Sequence, residues 1–304
     1  MIGIISSGLA LGLALEASAY PKPGNVSPQG GTKGLEHWYF LASTTSIAVE
    51  LYRILEEVRY IDRCPEGSLG ERIYRLYSMA SRLSCGRNTH LGFTMLIIPV
   101  AIAIGELLSI KGSLDIGVKE LLEEARDLVR TCRSPEDLEW ISRAILKASP
   151  SYLTRYEGAG FDVIRGKGSE RSMWEFIESF KKHDLILREI WEGYPRVYKA
   201  YTIINSDPRP GLYERIAIAF INIASENIDT TIARGRGYKV AIDVMREMRK
   251  IRDLIEIGSP MWRLYAEILD RELRARGLNP GSIADIVATA SSLYVVENLL
   301  KTQS

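Results

Sequence analysis

Apolar residues recur along most of this chain at helical spacing, with separations of three, four and seven rather than strict alternation. Between Glu36 and Tyr60, for example, Phe40, Ile47, Leu51, Ile54 and Leu55 fall near one face. The pattern predicts helices near residues 3–19, 36–60, 70–84, 91–109, 116–131, 135–148, 169–192, 211–227, 238–256, 260–276 and 282–301. No stretch keeps a period of two between hairpin turns, so no sheet is expected. No repeat of fixed period appears, which argues against a solenoid. The expected fold is all-α, one compact domain over 1–304 with about ten or eleven helices.

Local punctuation supports these boundaries. Ser134-Pro135 and Ser259-Pro260 each put a capping residue before a proline suited to the first helical position. Gly277 follows the Arg-rich turn 271–276 and reads as a helix stop. Loops are expected at 61–69, 149–168 and 205–210. The irregular stretch from Tyr156 to Gly168 reads as a linker or a lid, and motifs on both sides of it favour the lid.

Composition narrows the function classes. With 46% hydrophobic and 25% charged residues the chain can build a large core. A net charge of +1 gives no global field for nucleic acid or a membrane surface. The apolar start, Met1 to Leu15, has no basic segment and runs into Glu16, so a buried helix is expected there rather than a signal peptide. The apolar run Phe93 to Gly105 contains Pro99 and falls short of the roughly 20 residues of a membrane span. These features predict a soluble, cytoplasmic protein with neither nucleic acid nor membrane as partner. Cys64, Cys85 and Cys132 form no CxxC pair, so reduced structural thiols are expected. Glutamine occurs only at Gln29 and Gln303, and arginine exceeds lysine, a usage that fits a thermophile.

Four polar, glycine-punctuated blocks interrupt the helical pattern. In Tyr20 to Asn25, Lys22 stands between two prolines and can meet phosphate as a point charge, while Gly24 lets backbone approach a ligand and Asn25 adds an amide. The alternative is a turn with a solvated lysine. Gly86 to Gly92 opens an apolar helix, with Asn88 or Thr89 as cap, N–H groups turned to an anion, and Arg87 and His90 as donors. Alternatively it is a plain cap. Glu226 and Asp229 stand three apart, sharing a helix face if the helix continues, with Thr230, Arg234, Arg236 and Lys239 following. That mix suits a magnesium-bound polyphosphate, or an exposed salt-bridged helix end. Ser282 and Asp285, after Pro280-Gly281, fit a capping box or a concave anion site. His37, beside Trp38, Tyr39 and Phe40, is core-edge or adenine-facing, and His183 belongs to a solvated helix face. P-loop, G-x-S-x-G and H-E-x-x-H motifs are absent from the chain.

Taken in order, the blocks resemble the triphosphoribosyl-dephospho-CoA synthase family. Glu16 with Pro21 to Gly24, then His37, Asn88 to Gly92, the Asp229-Thr230 block with its basic and glycine residues, and Pro280 to Asp285 carry the similarity, over about residues 10 to 297. The chain departs from the family at Leu91, where lysine is usual, at Arg234 to Gly237, at Trp38-Tyr39, and around Glu157. The resemblance implies an all-α fold, Mg²⁺, and transfer of the 5-triphosphoribosyl group of ATP to the ribose 2′-hydroxyl of 3′-dephospho-CoA with release of adenine. Two alternatives stay open: a related enzyme handing the sugar to another acceptor, and a non-catalytic nucleotide-binding protein.

On that reading Asp229 binds metal or faces the oxocarbenium-like sugar, with Glu226 and Glu16 as further carboxylates and metal ligands. His90 contacts phosphate or transfers a proton. Lys22, Gly24, Asn25, His37, Arg87, Asn88, Thr89, Thr230, Arg234, Gly237, Gly281, Ser282 and Asp285 would hold ATP and its phosphates.

Overall fold

The computed structural model describes residues 1–32, 34–58, 69–112, 114, 116–148, 172–206 and 211–302, with backbone alone at 157–158 and 161–162. Among these residues fourteen helices follow in order: α1 (Ile2–Ser18), α2 (His37–Val58), α3 (Leu69–Leu83), α4 (Leu91–Lys111), α5 (Val118–Thr131), α6 (Asp137–Ala148), α7 (Met173–Phe180), α8 (Leu185–Glu192), α9 (Pro195–Ser206), α10 (Leu212–Glu226), α11 (Thr230–Arg236), α12 (Tyr238–Glu256), α13 (Met261–Ala275) and α14 (Gly281–Lys301). The all-α expectation holds. The only strands among the described residues are two of two residues each, β1 (Glu157–Gly158) and β2 (Phe161–Asp162), paired antiparallel. They fall inside the stretch read as a lid, whose remaining residues lie outside those described.

Helices α1, α4 and α14 are apolar on nearly every side, and such helices belong inside. They form the centre, with α1 lying along α14 and α2, and α14 also touching α4, α8, α9, α10 and α11. Close approach sets the α1–α14 contact: a Cβ on Gly12 would lie 2.2 Å from the Ser292 backbone, and Ser292 Oγ donates to the Leu9 carbonyl at 2.6 Å. α4 and α14 are also long and apolar enough to cross a membrane, and 72% and 61% of their apolar windows are buried inside the protein. Pro99 lies within α4 and the helix continues past it to Lys111, longer than its apolar run suggests.

The helix count exceeds the expected ten or eleven for local reasons. The single helix anticipated over 169–192 is two. Ser172 and Glu175 form a reciprocal capping box that starts α7, and Asp184 accepts from the Ile186 and Leu187 N–H groups to start α8. α9 was missed because its first residue, Pro195, follows two turn residues, Gly193 and Tyr194, both with positive φ. Its first N–H groups, of Arg196 and Val197, donate to buried Glu189. α11, only seven residues long, is too short to show a period.

Two smaller expectations change. Cys132 is disulfide-bonded, so the three cysteines are not all reduced, while Cys85 is free and exposed. The proposed Ser282–Asp285 capping box does not form: α14 begins at Gly281 with no side-chain cap from its own sequence.

Candidate functional site

The first turns of four helices meet at one cleft that opens to solvent. His90, Leu91 and Gly92 come from the start of α4, Asp184 and Ile186 from α8, Thr231 and Arg234 from α11, and Gly281, Ser282 and Asp285 from α14. Glu16 of α1, Phe40 of α2 and the amides Asn25 and Asn279 complete the lining. First-turn N–H groups such as those of Leu91, Gly92 and Ser282 have no acceptor within their own helix, and they carry the positive end of the helix dipole.

Side chains from distant segments tie these ends together. Asp229 precedes α11 and accepts from Ile232 N–H at 2.9 Å with one oxygen and from Ile283 N–H at 3.0 Å with the other. One carboxylate thus caps α11 and α14 together. Burial lifts its pKa to about 6 against the pull of these N–H donors. The Ser282 hydroxyl sits 3.0 Å from both Thr230 Oγ1 and Thr231 Oγ1, and Thr230 Oγ1 also accepts from Leu185 N–H at the start of α8. Asp184 accepts N–H bonds with one oxygen and pairs with Arg234 through the other.

Several expected roles change with this geometry. Glu226 does not share a helix face with Asp229, because α10 ends at Glu226 and Asp229 starts the next helix. Glu226 is exposed, pairs with Lys199 at 2.6 Å, and is not part of the cleft wall. Asp229 is 4% exposed and lies behind the wall. Asn88 and Thr89 line the cleft, but neither caps α4; His90 occupies that position without a side-chain cap bond. Arg87 is exposed outside the wall, and Gly237 sits at the junction of α11 and α12. Of the expected cations, Arg234 alone lines the cleft. Asp184 and Thr231 line it too and were not anticipated, and Asn279, which opens the polar block before α14, joins them. So do the apolar residues Met95, Phe176, Ile186 and Leu187.

Lys22 is 0% exposed and donates to Glu16 Oε1 at 2.5 Å and to Asn25 Oδ1 at 2.9 Å. Asn25 in turn donates to Asn279 Oδ1 at 2.9 Å. Burial lowers the Lys22 pKa and raises that of Glu16, each opposed by its partner. The lysine therefore braces the cleft from behind. Gly24, with φ +79° and its N–H on Asp270 Oδ1, lets the block turn tightly against α13. His37 is half-buried against Ser18, and burial followed by repulsion from Lys22 lowers its pKa.

His90 is 1% exposed under Phe40, with Nε2 2.6 Å from Ser43 Oγ. Burial brings its pKa down to about 3, against a hydrogen bond to the Phe40 backbone. It stays neutral near pH 7 and is poorly placed to donate a proton. A stability effect follows. Between pH 3 and 6.5 the unfolded chain binds a proton here that the folded one refuses, so stability is lost as pH falls through that window. Acidification from pH 7.5 to 4 is expected to cost about 3 kcal/mol through this group. Urea unfolding of parent and His90→Gln at both pH values checks it: equal pH dependence in the two proteins rejects the assignment. Asp229→Ala, which strips the caps of both α11 and α14, is expected to lose about 1–4 kcal/mol at neutral pH by the same measurement.

Asp285 presents the opposite case. Burial, together with the nearby carboxylates of Glu16, Asp229 and Asp184, pushes its pKa well above the usual range, opposed by the Phe93 N–H. Among the described residues no lysine or arginine pairs with it. Three carboxylates (Glu16, Asp184 and Asp285) and one guanidinium (Arg234) therefore line the cleft.

A family model for ATP:dephospho-CoA triphosphoribosyl transferase matches residues 5–304. Among solved structures, one from Archaeoglobus fulgidus, provisionally described as a triphosphoribosyl-dephospho-CoA synthase, shares the fold with a TM-score of 0.59. Identity is 20%, and the match covers 84% of this chain and 97% of the other. No curated protein gives a significant match.

Proposed function

The chain belongs to the ATP:dephospho-CoA triphosphoribosyl transferase family, and from that premise we propose that the cleft at the four helix starts is where the transfer occurs. The family activity is movement of a triphosphoribosyl group from ATP to dephospho-CoA. Within it, the acceptor atom is the ribose 2′-hydroxyl of 3′-dephospho-CoA, and adenine leaves. The protein acts as a single cytoplasmic domain, without nucleic acid or membrane as partner, and its amide-poor composition fits a thermophilic source.

One observation carries the assignment of residues: Asp285 stands in the cleft wall among first-turn N–H groups, with no cationic partner among the described residues. Breaking the bond from C1 to adenine leaves the sugar electron-poor, and a nearby carboxylate lowers the energy of that state. Asp285 fills this role. Asp229, both of whose oxygens already accept backbone N–H bonds, holds the frame. Arg234, held by Asp184, and the N–H groups of Leu91, Gly92 and Ser282 hold phosphate oxygens. The hydroxyls of Ser282 and Thr231 and the amides of Asn25 and Asn88 orient the riboses. The apolar side chains keep water from the reacting carbon.

Magnesium fits the donor chemistry in a limited way. With Glu16 already paired to Lys22 and Asp184 to Arg234, little positive charge is left in the described wall for a triphosphate of about four negative charges, which calls for a divalent cation. Among the described residues, however, no group of three His, Cys, Asp or Glu side chains is close enough to hold an ion alone. Mg²⁺ would therefore be held chiefly by phosphate oxygens and water, with Glu16, which it would share with Lys22, the wall carboxylate left for it while Asp285 faces the sugar. When bound, it neutralises phosphate charge.

Incubation with ATP, Mg²⁺ and 3′-dephospho-CoA, read by mass spectrometry, tests the proposal. Adenine and the triphosphoribosyl adduct in equal amounts support it. Adenine with free ribose triphosphate means water is the acceptor, and bound ATP without turnover means a nucleotide-binding protein.

A further inference from the structure

Glycine inside a helix costs about 0.5–1 kcal/mol relative to alanine, so one kept there without a backbone reason has a spatial one. Gly92 is the second residue of α4, and its φ is not positive. Nothing in its own conformation requires glycine. The space beside it does. A Cβ at Gly92 would lie 2.2 Å from Asp285 Oδ2, 2.8 Å from Asp285 Cγ and 3.1 Å from Ile186 Cγ1. The Asp285 carboxylate thus rests directly on the backbone of the first turn of α4, where the Phe93 N–H reaches it. Two turns further along, helix α14 is held against α1 by the close Gly12–Ser292 approach, which limits how far it can shift to make room.

We infer that Gly92 is a positioning residue for the transfer: its missing side chain is the seat that aims the Asp285 carboxylate at the reacting sugar. This rests on the reading of the cleft as the transferase site. The atom a methyl group would strike is the far end of a side chain. An added methyl therefore turns Asp285 aside, off the Phe93 N–H, while the helices stay where they are. A residue needed only for packing would instead show its loss in stability.

The test is a double-substitution cycle with Gly92→Ala and Asp285→Asn, in which sites acting through one another are not additive. Gly92→Ala is expected to lower kcat for adenine release at least about 30-fold, with KM for ATP within about threefold and the urea midpoint near that of the parent. In the Asp285→Asn background the same change should alter kcat less than about threefold. Losses that multiply overturn the inference, as does a Gly92→Ala enzyme with parental kcat. Should Gly92→Ala fail to fold, Asp285→Glu takes its place, since the extra methylene drives the carboxylate into the same wall. Parental kcat in Asp285→Glu refutes the tight seat, and a loss of about 30-fold upholds it. A parent enzyme that does not turn over ATP with dephospho-CoA removes the transferase reading and the positioning role together, whereas an active parent beside an unaffected Gly92→Ala removes only the role of Gly92.

Discussion

Asp285→Asn releases adenine from ATP at least about a hundredfold more slowly than the parent enzyme, with little change in folding stability. The magnitude is that of removing one preorganised group that faces charge developing in a transition state. Asparagine has nearly the same shape and its amide oxygen can still accept from the Phe93 N–H, so the start of α4 stays in place. What disappears is the ability to carry negative charge as the sugar becomes electron-poor, in a wall where burial makes that charge costly at rest and where no cation among the described residues partners it. Such a group destabilises the resting protein, which is reason to look for its use in the reaction. Single-turnover measurement of adenine release, at saturating ATP and dephospho-CoA, checks the expectation. A rate within threefold of the parent moves the role away from Asp285, and a parallel collapse of the urea midpoint would make it structural.

Lys22→Met lowers stability by about 3–5 kcal/mol, the scale of removing one member of a buried ion pair. The methylene stem is replaced almost atom for atom, so packing beside Phe220 survives. Glu16 is then left at 3% exposure without its cation, and Asn25 loses the donor that holds its amide toward Asn279. The double variant Lys22→Met with Glu16→Gln removes the orphaned charge and should recover most of the loss, since an ion pair replaced as a unit is often nearly neutral. Thermal and urea unfolding of the two variants decides the matter. Equal stability of Lys22→Met and parent would show that the pair does not hold this wall.

Both expectations put the chemistry on residues the sequence already marks, but in exchanged roles. Lys22 lies between prolines and before a glycine, a setting that suggests an exposed phosphate-binding lysine, and the residue is instead sealed behind the wall. Asp229 looks like a ligand and is a double cap. Ser282 and Asp285 have the spacing of a capping box, yet their partners are Thr230, Thr231 and the first turn of α4. A spacing motif names groups able to bond locally and cannot say whether a segment fifty residues away offers a better partner. Asp184 was hidden for a related reason: inside an apparently unbroken helix it reads as one more solvated acid. Only its capping of α8 and its pairing with Arg234 give it a place at the cleft.

Helical class, most helix positions and the blocks where the chain stops being ordinary are local properties, written in apolar spacing, glycine and proline within a few residues of each other. Backbone hydrogen bonds inside a helix close over four residues, so sequence alone determines them. That these blocks converge on one cleft, and that Asp285 rather than Asp229 or Glu226 is left uncompensated there, was decided only when α1, α4 and α14 packed. A carboxylate's role depends on which donors surround it, and those donors are brought by helix ends far apart in the chain.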